Sequence, residues 1–175
     1  MTLNEEELDL WMKAFARLDK KKTGKVTVES IFEFIEEYPS PFAHEIFKMC
    51  ESEDEHKTVE FSDFIYCFGT YCFFGIKEIV KFMYLYVDKK VQGWITPMQL
   101  KQFLYESNPY TNKKRVWRAM AQMKLKADDR VTFDDFQKYV KCYPGAFNFG
   151  FSLQNSMRVA TLVRKLLNSF LITLA

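Results

Sequence analysis

The sequence predicts an all-α protein: two similar pairs of helix-loop-helix units, followed by a C-terminal amphipathic helix. Three observations predict it. The 175 residues include only 6 Gly and 5 Pro and show no clear period-two alternation, which argues against a β-sandwich or barrel. A pattern of apolar residues, Asp, Gly and a β-branched residue recurs 69 residues later, and a second pattern recurs at 72. With 48% apolar residues, 18 Phe and 9 Tyr, the chain can fill a sizeable core or offer aromatic surface to a partner.

The first copy runs Trp11, Phe15, Leu18, then Asp19, Gly24, Val26 and Thr27; the second runs Val80, Tyr84, Val87, then Asp88, Gly93, Ile95 and Thr96. Spacing of four and three before each Asp is one face of a helix. Gly in the loop permits a positive φ, and a β-branched residue two places on suits a short extended pairing. Thr27 and Thr96 are placed to cap the helices that follow, and Pro97 fits a first helical position because its missing N–H costs nothing there. Two weaker copies share Val59-Glu60-Phe61-Ser62-Asp63-Phe64 and Val131-Thr132-Phe133-Asp134-Asp135-Phe136, with Val116, Met120 and Met123 ahead of the latter. Paired loops are expected to touch through short strands, Val26 with Val59 and Ile95 with Val131. The expected divisions are 1–70, 71–142 and a tail at 143–175.

These patterns resemble the EF-hand superfamily. Phe61-Ser62-Asp63-Phe64-Ile65, and Lys81 to Asp88 with Gly93-Trp94-Ile95-Thr96, are similar to calcineurin B and the neuronal calcium sensors. The resemblance covers about residues 5 to 141 and implies paired helix-loop-helix lobes. It also implies that an opened helix pair holds an amphipathic helix of another protein in an apolar groove.

A calcium loop of that family needs early acids or amides, a Gly for the turn and a bidentate Glu at the end. The first loop (19–30) keeps Asp19 and Gly24 but has Lys21 at the second acid place and Ser30 at the end. The third (88–99) keeps Asp88 and Gly93, with Lys90, Gln92 and Gln99 at the acid places. The fourth (124–135) begins at Lys124, has Lys126 at the second place and Asp129 for Gly, and retains Asp128 and Asp135. An ammonium in a cation cage is repulsive, and one or two carboxylates do not offset dehydration of a divalent ion. These three loops are expected not to bind calcium. The second (52–63) holds Ser52, Asp54, His56, Lys57 in place of Gly, Glu60 and Asp63. It reads either as a solvated acidic loop or as a weak calcium or magnesium site on Asp54, Glu60 and Asp63. No other metal or cofactor is expected.

Candidate partner-binding residues are Trp11, Phe32, Ile35 and Phe68, although aromatics at helical spacing also serve as plain core. Phe73 and Phe74 are adjacent, so one helix cannot turn both to one core, and one is left for another contact. Lys113, Lys114, Arg115 and Arg118 form a basic edge. Residues 1–87 carry ten Lys and Arg against seventeen Asp and Glu, net −7, and residues 88–175 carry fifteen against six, net +9. A solvated helix face explains such a run, but the imbalance would also steer an acidic surface to it. Acidic protein polymers or an anionic membrane fit that charge; nucleic acid lacks any accompanying motif or stacking platform.

After Tyr143-Pro144-Gly145 the repeat stops. Phe147, Phe149, Phe151 and Leu153 stand at alternate places, and Val159, Leu162, Val163, Leu166, Leu167, Phe170 and Leu171 then recur on one helical face. Arg158, Thr161, Arg164, Lys165, Asn168 and Ser169 take the other. Three roles stay open for this helix: docking in the chain's own groove, binding another protein through residues such as Leu162, Leu166 and Phe170, or lying on a membrane.

No 18-residue apolar run is present, so no transmembrane span is expected. The acidic start is no signal peptide, and the four Cys lack C-x-x-C spacing; buried, reduced, intracellular thiols are the plain expectation. No nucleotide-binding or nucleophile motif appears, and no enzyme activity is expected. The expectation is a calcium-independent binding or structural module in an intracellular assembly, cytoplasmic and cytoskeletal or axonemal. The alternatives are a calcium sensor using loop two, or a regulatory subunit of an enzyme such as a phosphatase.

Overall fold

The computed structural model describes residues 5–48, 58–108 and 113–163, and they are mostly helical. The apolar face at Trp11 and Phe15 forms α1 (Glu5–Leu18), whose first turn carries Glu5, Glu6 and Glu7 against the positive end of the helix dipole. After β1 (Lys25–Thr27), α2 (Val28–Ile35) starts at Thr27, whose hydroxyl accepts the Ser30 amide at 3.2 Å. Then come α3 (Pro41–Phe47) and β2 (Thr58–Glu60). Next, α4 (Phe61–Phe64) runs through a π-helical turn at Ile65–Gly69 into α5 (Thr70–Phe73). The later part contains α6 (Ile76–Val87), β3 (Trp94–Ile95), α7 (Pro97–Ser107), α8 (Lys113–Met123), β4 (Val131–Thr132) and α9 (Phe133–Cys142). It ends with α10 (Pro144–Arg158) and a π-helical turn at Val159–Val163.

Two antiparallel ribbons carry the register read from the sequence. Val26 faces Val59 in β1–β2, and Ile95 faces Val131 in β3–β4. The apolar partners are all nearly inaccessible, so each ribbon is pinned by burial as well as by its ladder.

The chain forms two compact units. The first comprises Met1–Pro39, Ile46–Phe73 and Leu153–Ala175, and the second Ser40–Glu45 with Phe74–Ser152. In the first, the Trp11 ring sits edge-on to Phe64 and Phe68, Phe15 meets Phe64, and Phe32 meets Phe47. The Trp11 indole N–H is buried there with no acceptor. In the second, Phe42 touches Phe82, Tyr86, Phe103 and Phe149, while Phe136 packs on Tyr84 and Phe147. Edge-to-face pairs of this kind add about 0.5–1.5 kcal/mol each beyond area burial.

Three expectations are corrected. The phenylalanines from 147 to 151 are not on an alternating tail but on α10, where Ala146, Phe147, Gly150, Leu153, Gln154 and Met157 are buried at three- and four-residue intervals. The helical face beyond Arg158 is also turned. Thr161 is 4% exposed and donates its hydroxyl to the Met157 carbonyl, whereas Val159 is 38% exposed. The π-helical turn fits one more residue per turn and so rotates the stripe. Finally, the cysteines are not uniformly buried thiols: Cys67 is disulfide-bonded, Cys142 is exposed, and Cys72 is a buried free thiol that burial pushes up to about 12. Among the described residues, no helix is long and apolar enough to cross a membrane.

Candidate functional site

The first and third loops are built alike, atom by atom. The Asp19 amide donates to the Phe15 carbonyl at 2.8 Å and the Asp88 amide to that of Tyr84 at 2.9 Å, so each Asp closes its helix. Lys22 and Val91 then take the left-handed conformation, as do Gly24 and Gly93 two residues on. At the glycines, φ of +77° and +84° explains the residue, because an L side chain there would be strained.

Both carboxylates are engaged by their own loops. Asp19 Oδ1 accepts the Thr23 amide at 2.8 Å and the Thr23 hydroxyl at 3.0 Å, and Oδ2 accepts the Gly24 amide at 2.7 Å. These donors, the Thr23 amide foremost, hold the Asp19 carboxyl below its ordinary range. Asp88 accepts the Gln92 amide at 3.0 Å and the Gly93 amide at 2.8 Å, with its side chain buried. In each loop, then, an internal hydrogen-bond ring holds the turn.

The remaining candidate metal residues are dispersed into local roles. Glu60 lies across the ribbon from Lys25 and pairs with it at 3.5 Å. Asp63 is half-buried on α4, and Asp54 lies outside the described residues. In the fourth loop the Asp129 carboxylate accepts the Lys126 amide at 2.7 Å. Asp135 completes a capping box with Thr132, accepting its hydroxyl at 2.7 Å. No group of three His, Cys, Asp or Glu side chains converges among the described residues.

Of the candidate partner-binding residues, Trp11, Phe32, Ile35 and Phe68 are buried in the core of the first unit. There the Val159–Val163 turn packs on α1 and α2. Phe73 is 46% exposed, while Phe74 is half-buried and stacks at a tilt on Phe82. Lys113, Lys114, Arg115 and Arg118 are exposed on α8, a helix without a single acid. Leu166 and Phe170 lie outside the described residues, and Leu162 is described only in its backbone.

Other residues stand out only in the structure. Trp117 is 64% exposed among the α8 cations; its place beside them in the sequence was a usable signal. Gln154 and Arg158 hold the end of α5: Gln154 Nε2 donates to the Tyr71 carbonyl at 2.9 Å, and Arg158 Nε to that of Cys72 at 2.7 Å. Those carbonyls belong to the last turn of a helix and have no intrahelical donor. No pattern in the sequence links residues 82 or more places apart in this way. Compared with protein-family models and with curated proteins, the chain matches none.

Proposed function

We propose that the chain is a calcium-independent EF-hand-like module, two lobes of paired helix-loop-helix units, that binds a partner within a larger assembly. The observation that carries the reading is the hydrogen-bond ring around each leading Asp. With both oxygens of Asp19 engaged by Thr23 and Gly24, and Asp88 engaged by Gln92 and Gly93, the turns are held without an ion. Lys21 and Lys90, at the second acid places, oppose a cation further.

Docking falls to the exposed surface rather than to the buried aromatics. The packing of Val159–Val163 on α1 and α2 supports self-docking of the C-terminal segment, which uses the apolar face the chain would otherwise present. Exposed Lys113, Arg115 and Arg118 with Trp117 fit an acidic protein surface: the cations steer the encounter, and the indole supplies apolar area and a ring for cationic or aromatic contact.

Affinity capture from native extract, with and without chelator, tests both parts. Wild-type chain should recover the same partners in both conditions, and Lys113→Glu/Arg115→Glu/Arg118→Glu should recover them poorly. Chelator-dependent recovery would contradict calcium independence, and full recovery by the triple variant would contradict the α8 surface.

A further inference from the structure

The first loop is a cation-loop shape with its charge reversed. Between Arg17 and Lys25 stand Arg17, Lys20, Lys21, Lys22 and Lys25, five cations in nine residues. A cavity of about 560 Å³ opens beside this loop, lined by Arg17, Lys20, Lys21 and Lys25, with the hydroxyl residues Thr23 and Thr27. Two carboxylates line it as well. That of Asp19 is turned onto the Thr23 and Gly24 amides, which leaves Glu33 as the acid without such donors. Among the described residues, Arg17, Lys20 and Lys21 have no ion pair, and Lys25 has only the exposed Glu60 at 3.5 Å.

We infer that this cavity of the first loop is a binding site for a phosphate-bearing ligand. Arg17 supplies a planar fork suited to two phosphate oxygens, and the lysines supply mobile point charges around it. The third loop is the internal control. It has the same turn, but at the positions of Arg17, Lys22, Thr23 and Lys25 it carries Tyr86, Val91, Gln92 and Trp94. Its Lys89 is engaged, 5.0 Å over the Tyr86 ring and 4.0 Å from Glu45. Trp94 is covered by Arg130 at 4.5 Å. Loop shape is therefore common to both sites, but among the described residues the third loop keeps only Lys90 as an unengaged cation, whereas Arg17, Lys20 and Lys21 converge on the cavity of the first. The inference does not rest on the partner surface proposed for α8.

Pyrophosphate titration of the full chain, followed by backbone amide shifts, tests it. Amides of 20–25 should shift to saturation while those of 89–94 do not. Lys20→Glu/Lys21→Glu should weaken binding about tenfold or more, because two attractive charges become repulsive. Lys89→Glu/Lys90→Glu should leave it within about twofold, since those side chains lie outside the cavity. Both pairs are exposed, and an unchanged melting temperature would show that each variant folds; Lys20→Gln/Lys21→Gln should fall between the extremes. Co-sedimentation with phosphatidylcholine vesicles, with and without phosphatidic acid, distinguishes the sources. Capture that needs phosphatidic acid and Lys20/Lys21 assigns the phosphate to a lipid headgroup. Saturable pyrophosphate binding without vesicle capture assigns it to a soluble compound. Equal response of the two loops, or no response that depends on Lys20 and Lys21 with either probe, would overturn the site.

Discussion

Arg158 donates from Nε to the Cys72 carbonyl at 2.7 Å, across 86 residues of sequence. With Gln154 on the Tyr71 carbonyl, it ties the chain's C-terminal helix to the end of α5 inside one compact unit. A helix end receives its missing donors, and a cationic side chain meets the negative end of the dipole. Gln154→Ala, which takes the donor from the Tyr71 carbonyl, should therefore cost about 1–3 kcal/mol, and Arg158→Ala about 1 kcal/mol, because the Cys72 carbonyl keeps Gln154 Nε2 at 3.3 Å. Thermal or urea melts check this. Truncation after Asn155 should cost more, because Met157, Ala160 and Thr161 leave a buried face with it. An unchanged melting temperature in the truncated form would contradict self-docking.

The two leading aspartates should differ in weight. Asp88 is 2% exposed, whereas the Asp19 ring is open to water. Asp88→Ala should lower stability by about 1–3 kcal/mol through stranded amides, while Asp19→Ala should lower it by less, since water replaces the lost acceptor. Equal losses in chemical denaturation would contradict the assigned difference in burial.

Val91 is a β-branched residue at φ +50° and is largely exposed, so its strain has no packing to offset it. Val91→Asn should raise stability by about 1 kcal/mol, because Asn enters the left-handed region more readily. A melt that moves downward would contradict this account of the turn.

The helix caps predict a pH asymmetry. Thr96 pairs with Gln99, which does not titrate, and Thr132 pairs with Asp135, whose carboxyl is held below its ordinary range chiefly by the Thr132 hydroxyl. A carboxyl lowered in the folded state contributes stability above its unfolded pKa, and that contribution is lost as pH falls through the folded value. Acid titration should therefore fray α9 before α7, and Asp135→Asn should flatten that part of the pH profile. Amide exchange in the two helices measured between pH 6 and 3 reads it out. Loss at the same pH in both would contradict the cap assignment.

How much of this was legible follows from the range of each interaction. Helix α1 and the caps at Thr27 and Thr96 depend on neighbours within a few residues, and spacing revealed them; the two ribbons join distant residues and were legible only through the repeated pattern, while the cap at Thr132 was not read. The π-helical turns could not be read, because nothing in Ile65–Gly69 or Val159–Val163 marks an added residue per turn. At α10 the alternating phenylalanines concealed the wider-spaced stripe that is buried. Of the site, sequence showed which acids are missing. It did not show that Asp19 turns onto its own loop, nor that Arg17 and Lys25 line one cavity, since both depend on how the backbone closes.

Calorimetric titration of the full chain with calcium tests the central claim most directly. With Asp19 and Asp88 held by their own amides and lysines at the second acid places, the first, third and fourth loops should show no binding tighter than about millimolar. Any weak heat should fall sharply in Asp54→Ala/Asp63→Ala, which removes two of the three candidate acids of the second loop. A micromolar site that survives that double substitution would contradict the account, because Glu60 alone would not hold an ion so tightly and the site would have to lie in the first, third or fourth loop.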